Sequence, residues 1–260
     1  MPVPDHSSPE TYRRLILEDV ASTNSEAFAR AGQGEPGPLW VMARRQTQGR
    51  GRSGRTWASD PGNLYASLLQ RSRCPLALVY QVSLVAGIAV VDAIRAAAGT
   101  TLLPGLRLKW PNDVLIDGAK CTGILAESQT APSGEVVLVI GIGINLSSHP
   151  TDIGRAATHL AAHGIAIAPE AMLDHLAASL ARWLRTWEEG RGFGHIRTAW
   201  LERAGTEGEP LTVHAGAEKL SGRFAGLDEA GALLMRDETG AERRVTFGDV
   251  ALGVSSGRNC

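Results

Sequence analysis

Apolar and polar positions alternate over short stretches in the first part of the chain, which is the pattern of half-buried β-strands. Extended segments are predicted at residues 12–17, 39–44 and 63–70. Between the first two of these, Thr23 and Glu26 have the spacing of a capping box, so we expect a helix to begin there and to run through Arg30. Residues 77–98 are alanine-rich and mostly apolar, which predicts a buried helix.

The middle of the chain predicts a hairpin and a central strand. Three short segments have the composition of strands, namely residues 106–110, 114–116 and 121–127. The last two flank Asp117-Gly118, a dipeptide that favours a tight hairpin turn. The sequence EVVLVIGIGIN, residues 135–145, is almost continuously apolar, which is typical of a strand buried on both faces.

The C-terminal half separates into a helical part and a β part. Leucine and tryptophan recur at three- and four-residue intervals between residues 153 and 203, as on the buried faces of helices. From residue 207 onwards, short extended pieces alternate with turn residues, which predicts a small all-β module. We therefore predict an α+β fold with two domains, at residues 1–206 and 207–260.

Composition restricts the class of protein. The chain has 260 residues, of which 43% are hydrophobic, so it can bury a core of ordinary size. The most apolar stretch, residues 76–98, is interrupted by Gln81, Asp92 and Arg95, and the N-terminus lacks the basic-then-apolar order of a signal peptide. The three cysteines lie in no C-x-x-C pair, so neither a disulfide framework nor a zinc site is indicated. We therefore expect a cytoplasmic protein with no membrane partner and no metal site built from protein ligands alone.

Lysine is scarce, and its positions are informative. Only three of the 26 basic residues are lysines, namely Lys109, Lys120 and Lys219. Lysine provides a compact point charge and arginine a planar fork, so a site that needs the former cannot use the latter. Two of the three lysines fall within residues 109–120, which marks that segment as candidate chemistry, with accidental placement as the alternative.

The segment ARRQTQGRGRSGRTW, residues 43–57, concentrates positive charge, and we call it the arginine loop. It contains five arginines, three glycines and no acidic residue, although the formal net charge of the chain is only -1. Glycines allow the backbone to approach a ligand closely, and guanidinium groups bind phosphate or carboxylate oxygens through paired hydrogen bonds. The composition therefore favours a loop that closes over a small anionic ligand.

Three other interpretations of the arginine loop are weaker. GRGRSG satisfies the G-x-G-x-x-G pattern of dinucleotide-binding proteins, but a predicted strand rather than a helix follows it. A nucleic-acid-binding face would spread basic residues over a wide surface, whereas here the excess is confined to one loop. A flexible, solvated loop without function is the remaining alternative, and it weakens only when further motifs are added.

Further motifs give the chain a resemblance to the biotin protein ligases. The matching segments are STN (residues 22–24), QTQGRGRSGRTW (46–57), KWPNDV (109–114), KCTGILAE (120–127) and GIGINL (141–146). They occur in the family's order and spacing, and with the terminal β module the resemblance covers nearly the whole chain. The chain departs from the family pattern at Arg44, Arg45, Gln48 and Cys121-Thr122, and Gln48 lies where it would affect closure of the loop.

This resemblance implies a fold and a two-step reaction. The fold would be a mixed β-sheet flanked by helices, of the type shared with class II aminoacyl-tRNA synthetases, followed by an SH3-like barrel. The reaction would join biotin and ATP to form biotinyl-5'-AMP and pyrophosphate, and would then transfer biotin to a lysine of a biotin carboxyl carrier domain. Longer members of the family carry an additional N-terminal DNA-binding domain, whereas the motifs of this chain begin directly with the catalytic domain. The resemblance therefore implies a ligase without DNA as a partner.

The resemblance also assigns roles to individual residues. Lys120, Arg50 and Arg52 are the expected catalytic residues, because two anions must be brought together. The residues expected to bind biotin are Ser22, Thr23, Asn24, Gln46, Gly49, Arg50, Gly51, Arg52, Lys120 and Gly123. Those expected to bind the nucleotide are Arg52, Arg55, Trp57, Asn112, Lys120 and Asn145. Asp113 is expected to help place Mg²⁺ on the phosphates of ATP, with a structural cap as the equal alternative.

Two rival functions remain open from the sequence. Lipoate protein ligase uses the same two-step logic without the GRGR-x-GR-x-W loop, and a non-catalytic vitamin-binding module would need neither Lys120 nor the arginines. Like charges and glycines make an empty loop costly to order, so we expect the arginine loop to become ordered when biotinyl-AMP binds. The oligomeric state is open between monomer and homodimer, since an exposed sheet edge would permit pairing.

Overall fold

The computed structural model describes residues 12–151 and 154–252. Its main elements, in chain order, are β1 (Arg13–Val20), α1 (Thr23–Gly32), β2 (Leu39–Gln46), β3 (Leu64–Ser72), α2 (Gln81–Ala98), β4 (Arg107–Lys109), β5 (Asp113–Ile116), β6 (Ala119–Thr130), β7 (Val136–Ile144), α3 (Pro169–Trp187), α4 (Phe193–Leu201), β8 (Pro210–Ala215), β9 (Glu218–Leu227), β10 (Leu233–Arg236), β11 (Glu242–Val245) and β12 (Asp249–Leu252). The predicted α+β class is confirmed.

The first seven strands form one mixed sheet in the order β1-β2-β3-β7-β6-β5-β4. β1 and β2 pair in parallel, and the other neighbours pair antiparallel. β7 lies at the centre with every residue buried, which explains its almost continuous apolar sequence. The edges of the sheet are β4, which is short, and β1, whose residues are exposed or half-buried.

Helices cover both faces of this sheet. In β2, Leu39 and Val41 belong to a small core with Ala27 of α1, whereas Trp40 and Met42 belong to a large core shared with α2, α3 and α4. α2 has the length and mean hydropathy of a membrane span, with a value of 1.5 over 18 residues. It packs against both the sheet and α3, however, which is the setting of a core helix in a globular protein.

The last five strands form a separate antiparallel sheet in the order β11-β10-β9-β8-β12, consistent with the expected SH3-like module. Its apolar side continues the large core, where the rings of Trp200 on α4 and Phe224 on β9 have centroids 6.5 Å apart. Arg107 of β4 also contacts both carboxylate oxygens of Glu209, at 2.7 and 2.8 Å. The small sheet is therefore fixed against the edge of the main sheet that carries β4.

The start of α1 differs from the sequence prediction. Its N-cap is Ser22 rather than Thr23, and no side chain caps the helix. The Thr23 hydroxyl instead contacts Gln46, and Glu26 pairs with Arg30 at 2.7 Å rather than closing a capping box. Long-range contacts of the Thr23 side chain have therefore replaced the local hydrogen bond that the spacing predicted.

Two predicted helical regions are interrupted in the structure. α2 begins at Gln81 rather than at residue 77, because a short 3-10 turn precedes it. Of the predicted helical region 153–203, residue 153 lies outside the described residues, and the rest has no α-helix before Pro169. The described part holds two α-helices, α3 and α4, separated by a turn in which Glu188 and Glu189 have φ angles of 49° and 54°. Hydrophobic spacing thus predicts the buried faces, but it does not show where a helix stops.

Asp92 of α2 joins the three helices that cover one face of the sheet. Its Oδ2 accepts hydrogen bonds from Arg182 and from the indole N–H of Trp183, both on α3, at 2.8 and 2.9 Å. Its Oδ1 accepts one from Arg203, just after α4, at 3.0 Å. Both guanidinium groups lie 5.6 Å from the centroid of the Trp183 ring, so the cluster combines ion pairs with cation–π contacts.

Removing this carboxylate should destabilise the helical layer. Asp92→Ala leaves Arg203, whose side chain is only 15% exposed, without its closest ion-pair partner, and we expect the free energy of unfolding to fall by about 2 kcal/mol. The control Glu202→Ala removes an exposed partner of the same arginine and should cost less than about 1 kcal/mol. Chemical denaturation measures both values, and equal losses would contradict the central role of Asp92.

Candidate active site

An open pocket, of about 680 Å³ when the solvent at its mouth is counted, lies where the arginine loop crosses the main sheet. Its walls come from α1, the arginine loop, β5 to β7 and the first residue of β12. The residues predicted from the sequence that line it are Ser22, Thr23, Asn24, Gln46, Arg50, Gly51, Arg52, Arg55, Trp57, Asn112, Asp113, Lys120 and Gly123. Motifs that are far apart in the sequence therefore meet in one place, as a shared site requires.

Glycines of β6 and β7 form the floor of the pocket. A Cβ atom at Gly143 would lie 2.6 Å from the ring of Trp57, and one at Gly123 would lie 2.7 Å from it. A Cβ atom at Gly141 would lie 2.2 Å from Asn24 Oδ1. These separations are too short for a real side chain, so glycine is required for Trp57 and Asn24 to lie directly on the sheet.

Three buried polar side chains, Thr23, Asn24 and Ser67, and the half-buried Gln46 form what we call the amide cluster. Gln46 Oε1 accepts a hydrogen bond from the backbone N–H of Thr23 at 2.9 Å, and Gln46 Nε2 donates to Ser59 Oγ at 3.0 Å. Ser67 Oγ lies 2.7 Å from Thr23 Oγ1 and 2.6 Å from Asn24 Oδ1. These contacts fix the side chains without a ligand, so the amide cluster is a preorganised hydrogen-bonding surface.

Asp113 is buried between two lysines. Its Oδ2 lies 2.9 Å from Lys109 Nζ, and its Oδ1 pairs with Lys120 Nζ. Burial alone would raise the pKa of Asp113, but the two ammonium groups hold that pKa below its usual range. Burial lowers the pKa of Lys120, and the Asp113 carboxylate opposes this change. One carboxylate with two cations leaves net positive charge at the pocket wall.

The five arginines of the arginine loop divide into two groups. Arg50, Arg52 and Arg55 line the pocket. Arg44 and Arg45 belong to β2 and pair at the surface with acidic residues of β1 and α3. The division arises because β2 continues to Gln46 and fixes the first two arginines before the chain turns over the pocket.

Two arginines of the loop reach the C-terminal sheet. Arg55 NH2 contacts both carboxylate oxygens of Asp249, at 2.6 and 2.7 Å. Arg52 NH1 donates to Asn112 Oδ1 at 3.2 Å and to the carbonyl oxygen of Gly248 at 3.4 Å. The loop is therefore held over the pocket by Asp249 of β12 and by Gly248 and Asn112, which immediately precede β12 and β5.

Two predicted site residues, Gly49 and Asn145, do not line the pocket. Asn145 Nδ2 donates to the carbonyl oxygen of Thr158 at 2.9 Å, and the backbone N–H of Asn145 donates to the carbonyl oxygen of Cys121 at 3.0 Å. It thereby holds the segment after β7 against β6. A Cβ atom at Gly49 would lie 2.4 Å from the carbonyl oxygen of Trp57, so this glycine allows the close packing that places Trp57.

Other lining residues have no assignment from the sequence. They are Thr56, Tyr65, Ile124, Leu125, Gly141, Ile142, Gly143, Arg155 and Asp249. The alternation of glycine and isoleucine in GIGIN was an available signal, because glycine within a strand often marks the close approach of another group. Asp249 gave no signal, since it follows Arg55 by 194 positions and only folding brings them together.

Comparisons with known proteins agree with this geometry. The profile of the biotin/lipoate A/B protein ligase family matches residues 20–145, and that of the biotin protein ligase C terminal domain matches residues 207–253. Biotin--[acetyl-CoA-carboxylase] ligase of Paracoccus denitrificans is 40% identical over 234 residues, which cover 87% of this chain and 95% of that protein. Bifunctional ligase/repressor BirA of Bacillus subtilis (strain 168) is 34% identical over 248 residues, covering 93% of this chain and 74% of that protein.

The similarity extends to three dimensions. The biotin protein ligase from Aquifex aeolicus in complex with biotin and ATP has a TM-score of 0.76 at 29% sequence identity, and the match covers 93% of this chain and 98% of that one. The apo structure of the Aquifex protein matches with a TM-score of 0.72 at 26% identity, covering 94% and 99% of the two chains. Sequence and fold thus agree over nearly the whole length, and the chain belongs to the biotin protein ligase family.

Proposed function

We propose that this protein is an ATP-dependent biotin protein ligase. The biotin carboxylate attacks the α-phosphate of ATP, which gives biotinyl-5'-AMP and releases pyrophosphate. A lysine of a biotin carboxyl carrier domain then attacks the mixed anhydride, forming an amide bond and releasing AMP. The Paracoccus ligase and the Aquifex ligase bound to biotin and ATP support this assignment.

One observation carries the proposal, namely that a hydrogen-bonding surface and a cluster of cations share one pocket. Thr23, Asn24 and Gln46 suit a neutral polar ring, and they match the ureido group of biotin, which has two N–H donors and one carbonyl acceptor. Lys120 and Arg52 suit the carboxylate of biotin and the phosphates of ATP. A ligand with a neutral polar head and an acidic tail, activated by a nucleotide, satisfies both regions.

The first step joins two anions, so it requires fixed positive charge. Lys120 is the fixed cation, because its ammonium group is buried and held by Asp113. Arg52 and Arg55 are carried by the loop, where phosphate oxygens can replace their present protein partners. Closure of the loop over the anhydride then excludes water, which would otherwise hydrolyse it.

The other predicted site residues also divide into biotin contacts and nucleotide contacts. Besides Thr23, Asn24, Gln46, Arg52 and Lys120, the proposed biotin contacts are Ser22, Arg50, Gly51 and Gly123. Gly49 does not line the pocket, so its proposed role in biotin binding would be indirect, through the placement of Trp57. The proposed nucleotide contacts include Trp57, Asn112 and Asn145. Because Asn145 lies behind the pocket wall, it would act through the segment that it holds.

Mg²⁺ is proposed as the ion that accompanies the phosphates of ATP. Within residues 12–151 and 154–252, no three His, Cys, Asp or Glu side chains form a group that could hold a metal. Both oxygens of Asp113, the proposed metal residue, already contact lysines. The side chains therefore fit an ion that the nucleotide brings and largely coordinates, and its chemistry would be to neutralise phosphate charge.

The proposed acceptor is the biotin carboxyl carrier domain of a biotin-dependent carboxylase. It would dock beside the C-terminal sheet, which reaches the pocket through Asp249. The open edge of β1 is compatible with either a monomer or a homodimer. We propose a cytoplasmic enzyme with neither DNA nor a membrane as a partner.

Pyrophosphate release from ATP tests the function directly. We expect release with biotin, but not with lipoate or without an added acid, followed by transfer of biotin to a purified carrier domain. Release with lipoate would identify a lipoate ligase instead. Binding of biotin without any release would identify a non-catalytic vitamin-binding module.

Replacement of Lys120 should abolish adenylate formation while biotin binding falls less. Lys120→Ala removes a charge that stabilises the transition state, so we expect pyrophosphate release to fall by about 100-fold or more. Lys120→Arg should rescue poorly, because the planar fork does not fit a point-charge site beside Asp113. Lys219→Ala, at an exposed lysine of β9, is the control and should stay active. Near-wild-type release by Lys120→Ala would refute the assignment.

Closure of the arginine loop should be visible in limited proteolysis. Trypsin should cut at Arg50, Arg52 or Arg55 quickly in the free protein and slowly with biotin plus ATP. Cleavage at Arg191, whose side chain is 67% exposed, is the internal control and should not respond to ligands. Arg52→Gly should form the adenylate yet release it early, so that lysines of unrelated proteins become biotinylated. Ligand-independent cleavage of the loop, together with no stray labelling, would rule out closure.

A further inference from the structure

β1 forms one edge of the main sheet, and no strand of the described part of the chain lies on its outer side. It pairs only with β2, in parallel, from Arg13 to Val20. The edge strand at the other end of the sheet, β4, has three residues, whereas β1 has eight. The N–H and C=O groups on the outer side of such a strand can pair with another strand unless the sequence prevents it.

The sequence of β1 contains charges but no other feature that blocks pairing. Residues 13–19 read RRLILED, with neither proline nor glycine. Two arginines come first, three apolar residues occupy the middle, and two acidic residues come last. Charged residues at an edge usually repel a second strand, but here the two ends of the strand have opposite signs.

These charges are arranged symmetrically about Ile16. In an antiparallel pair of two β1 strands, Ile16 can lie opposite its own copy. Residues at equal distances on either side of Ile16 then face each other, and every such pair joins either opposite charges or two apolar side chains. The facing pairs are Arg13 with the partner's Asp19, Arg14 with the partner's Glu18, and Leu15 with the partner's Leu17.

Other registers lose this complementarity. A shift of one residue places Arg14 opposite the partner's Leu17 in one direction, or Leu15 opposite the partner's Glu18 in the other. Shifts of two residues also place charged side chains opposite apolar ones. Parallel pairing in register would place each charge beside its own copy, which is destabilising. The sequence therefore specifies a single register, as a strand that pairs specifically requires.

Both faces of the sheet take part in this pairing. Leu15 and Leu17 pack with the small core beside α1. Arg14 contacts Asp174 of α3, on the other face, at 3.3 Å. Because side chains alternate between the two faces along a strand, each face has one arginine and one carboxylate of β1 at its edge. Residues directly opposite in an antiparallel pair share a face, so ion pairs would form on both faces.

The charged side chains of β1 are accessible to a partner. Their present contacts are Arg13 with Glu35, Arg14 with Asp174, Glu18 with Arg44 and Asp19 with Arg45. Despite these contacts, the four side chains of β1 are between 45% and 81% exposed. Ile16, at the centre, is an exposed large apolar residue. A second copy would cover Ile16 and extend the surface ion pairs into networks of alternating sign.

We propose that β1 is a self-association edge, at which two copies of this protein pair antiparallel about a two-fold axis midway between their Ile16 residues. The main sheets of the two copies then form one continuous sheet. The interface is isologous, since the same residues of each copy meet, and it closes after two copies. The proposal does not depend on the proposed function, because residues 13–19 do not line the pocket.

Two charge-reversed variants test the register. Arg13→Glu/Arg14→Glu has acidic residues at both ends of β1, and Glu18→Arg/Asp19→Arg has basic residues at both ends. Each variant alone would form four like-charge contacts, so we expect the dissociation constant of the dimer to rise at least about 100-fold above that of the wild type. In an equal mixture all four contacts again join opposite charges, and a heterodimer should form with an affinity close to that of the wild-type dimer. Sedimentation equilibrium measures all three constants.

A control variant changes the same number of charges elsewhere. Glu218→Arg/Glu242→Arg reverses two exposed carboxylates of the C-terminal sheet and should dimerise like the wild type. An equal loss of the dimer in this control would overturn the proposal. A wild-type dimer whose dissociation constant neither β1 variant changes would also overturn it, because that dimer would use another surface. So would the absence of a heterodimer from variants whose circular dichroism matches the wild type.

The wild type alone provides a test that needs no variant to fold. Exposed ion pairs are screened by salt, so the dissociation constant of the dimer should rise between about 0.05 M and 0.5 M sodium chloride. A constant that stays the same or falls would overturn the proposal, and so would a protein that remains monomeric up to about 1 mM. None of these outcomes bears on the proposed function, which pyrophosphate release tests separately.

Discussion

The pairing of Asp113 with two lysines allows positive charge to be buried in this pocket. A buried ammonium group loses several kcal/mol of hydration, and the neighbouring cations would add repulsion. The sheet provides the remedy, because the pairing of β4 with β5 places Asp113 opposite Lys109, and β6 brings Lys120 to the same carboxylate. The buried carboxylate of Asp113 therefore stabilises the charged form of Lys120, on which the proposed chemistry depends.

The cations of the arginine loop are also paired with carboxylates, but these ion pairs are more exposed and therefore weaker. Glu127 accepts from Arg50, and Asp249 contacts Arg55, so these guanidinium groups already have partners from two different strands. Under the proposed function, phosphate binding would exchange one set of ion pairs for another. Partly exposed ion pairs contribute about 1 kcal/mol or less. Breaking them therefore costs little free energy, and the loop can change partners without unfolding its surroundings.

The sequence predicted features that depend on neighbouring residues, but it did not predict contacts between residues that are far apart in the chain. The α+β class, the central strand and the Asp117-Gly118 turn follow from local patterns, and both turn residues have the positive φ angles, 50° and 79°, that such a turn requires. The scarcity of lysine singled out the segment in which two lysines share Asp113. Thr23 was misassigned as an N-cap because its side chain bonds to distant groups. The partners Glu127 and Asp249 were beyond sequence reasoning, since only the assembled sheets bring them to the loop.

The contact between Arg55 and Asp249 also has a consequence for biosynthesis. The ribosome makes the chain from its N-terminus, so the arginine loop emerges well before β12, which begins 194 positions after Arg55. Until β12 is complete, the guanidinium group of Arg55 lacks this partner. Docking of the last strand therefore pairs one cation of the loop with a carboxylate that is made late in synthesis.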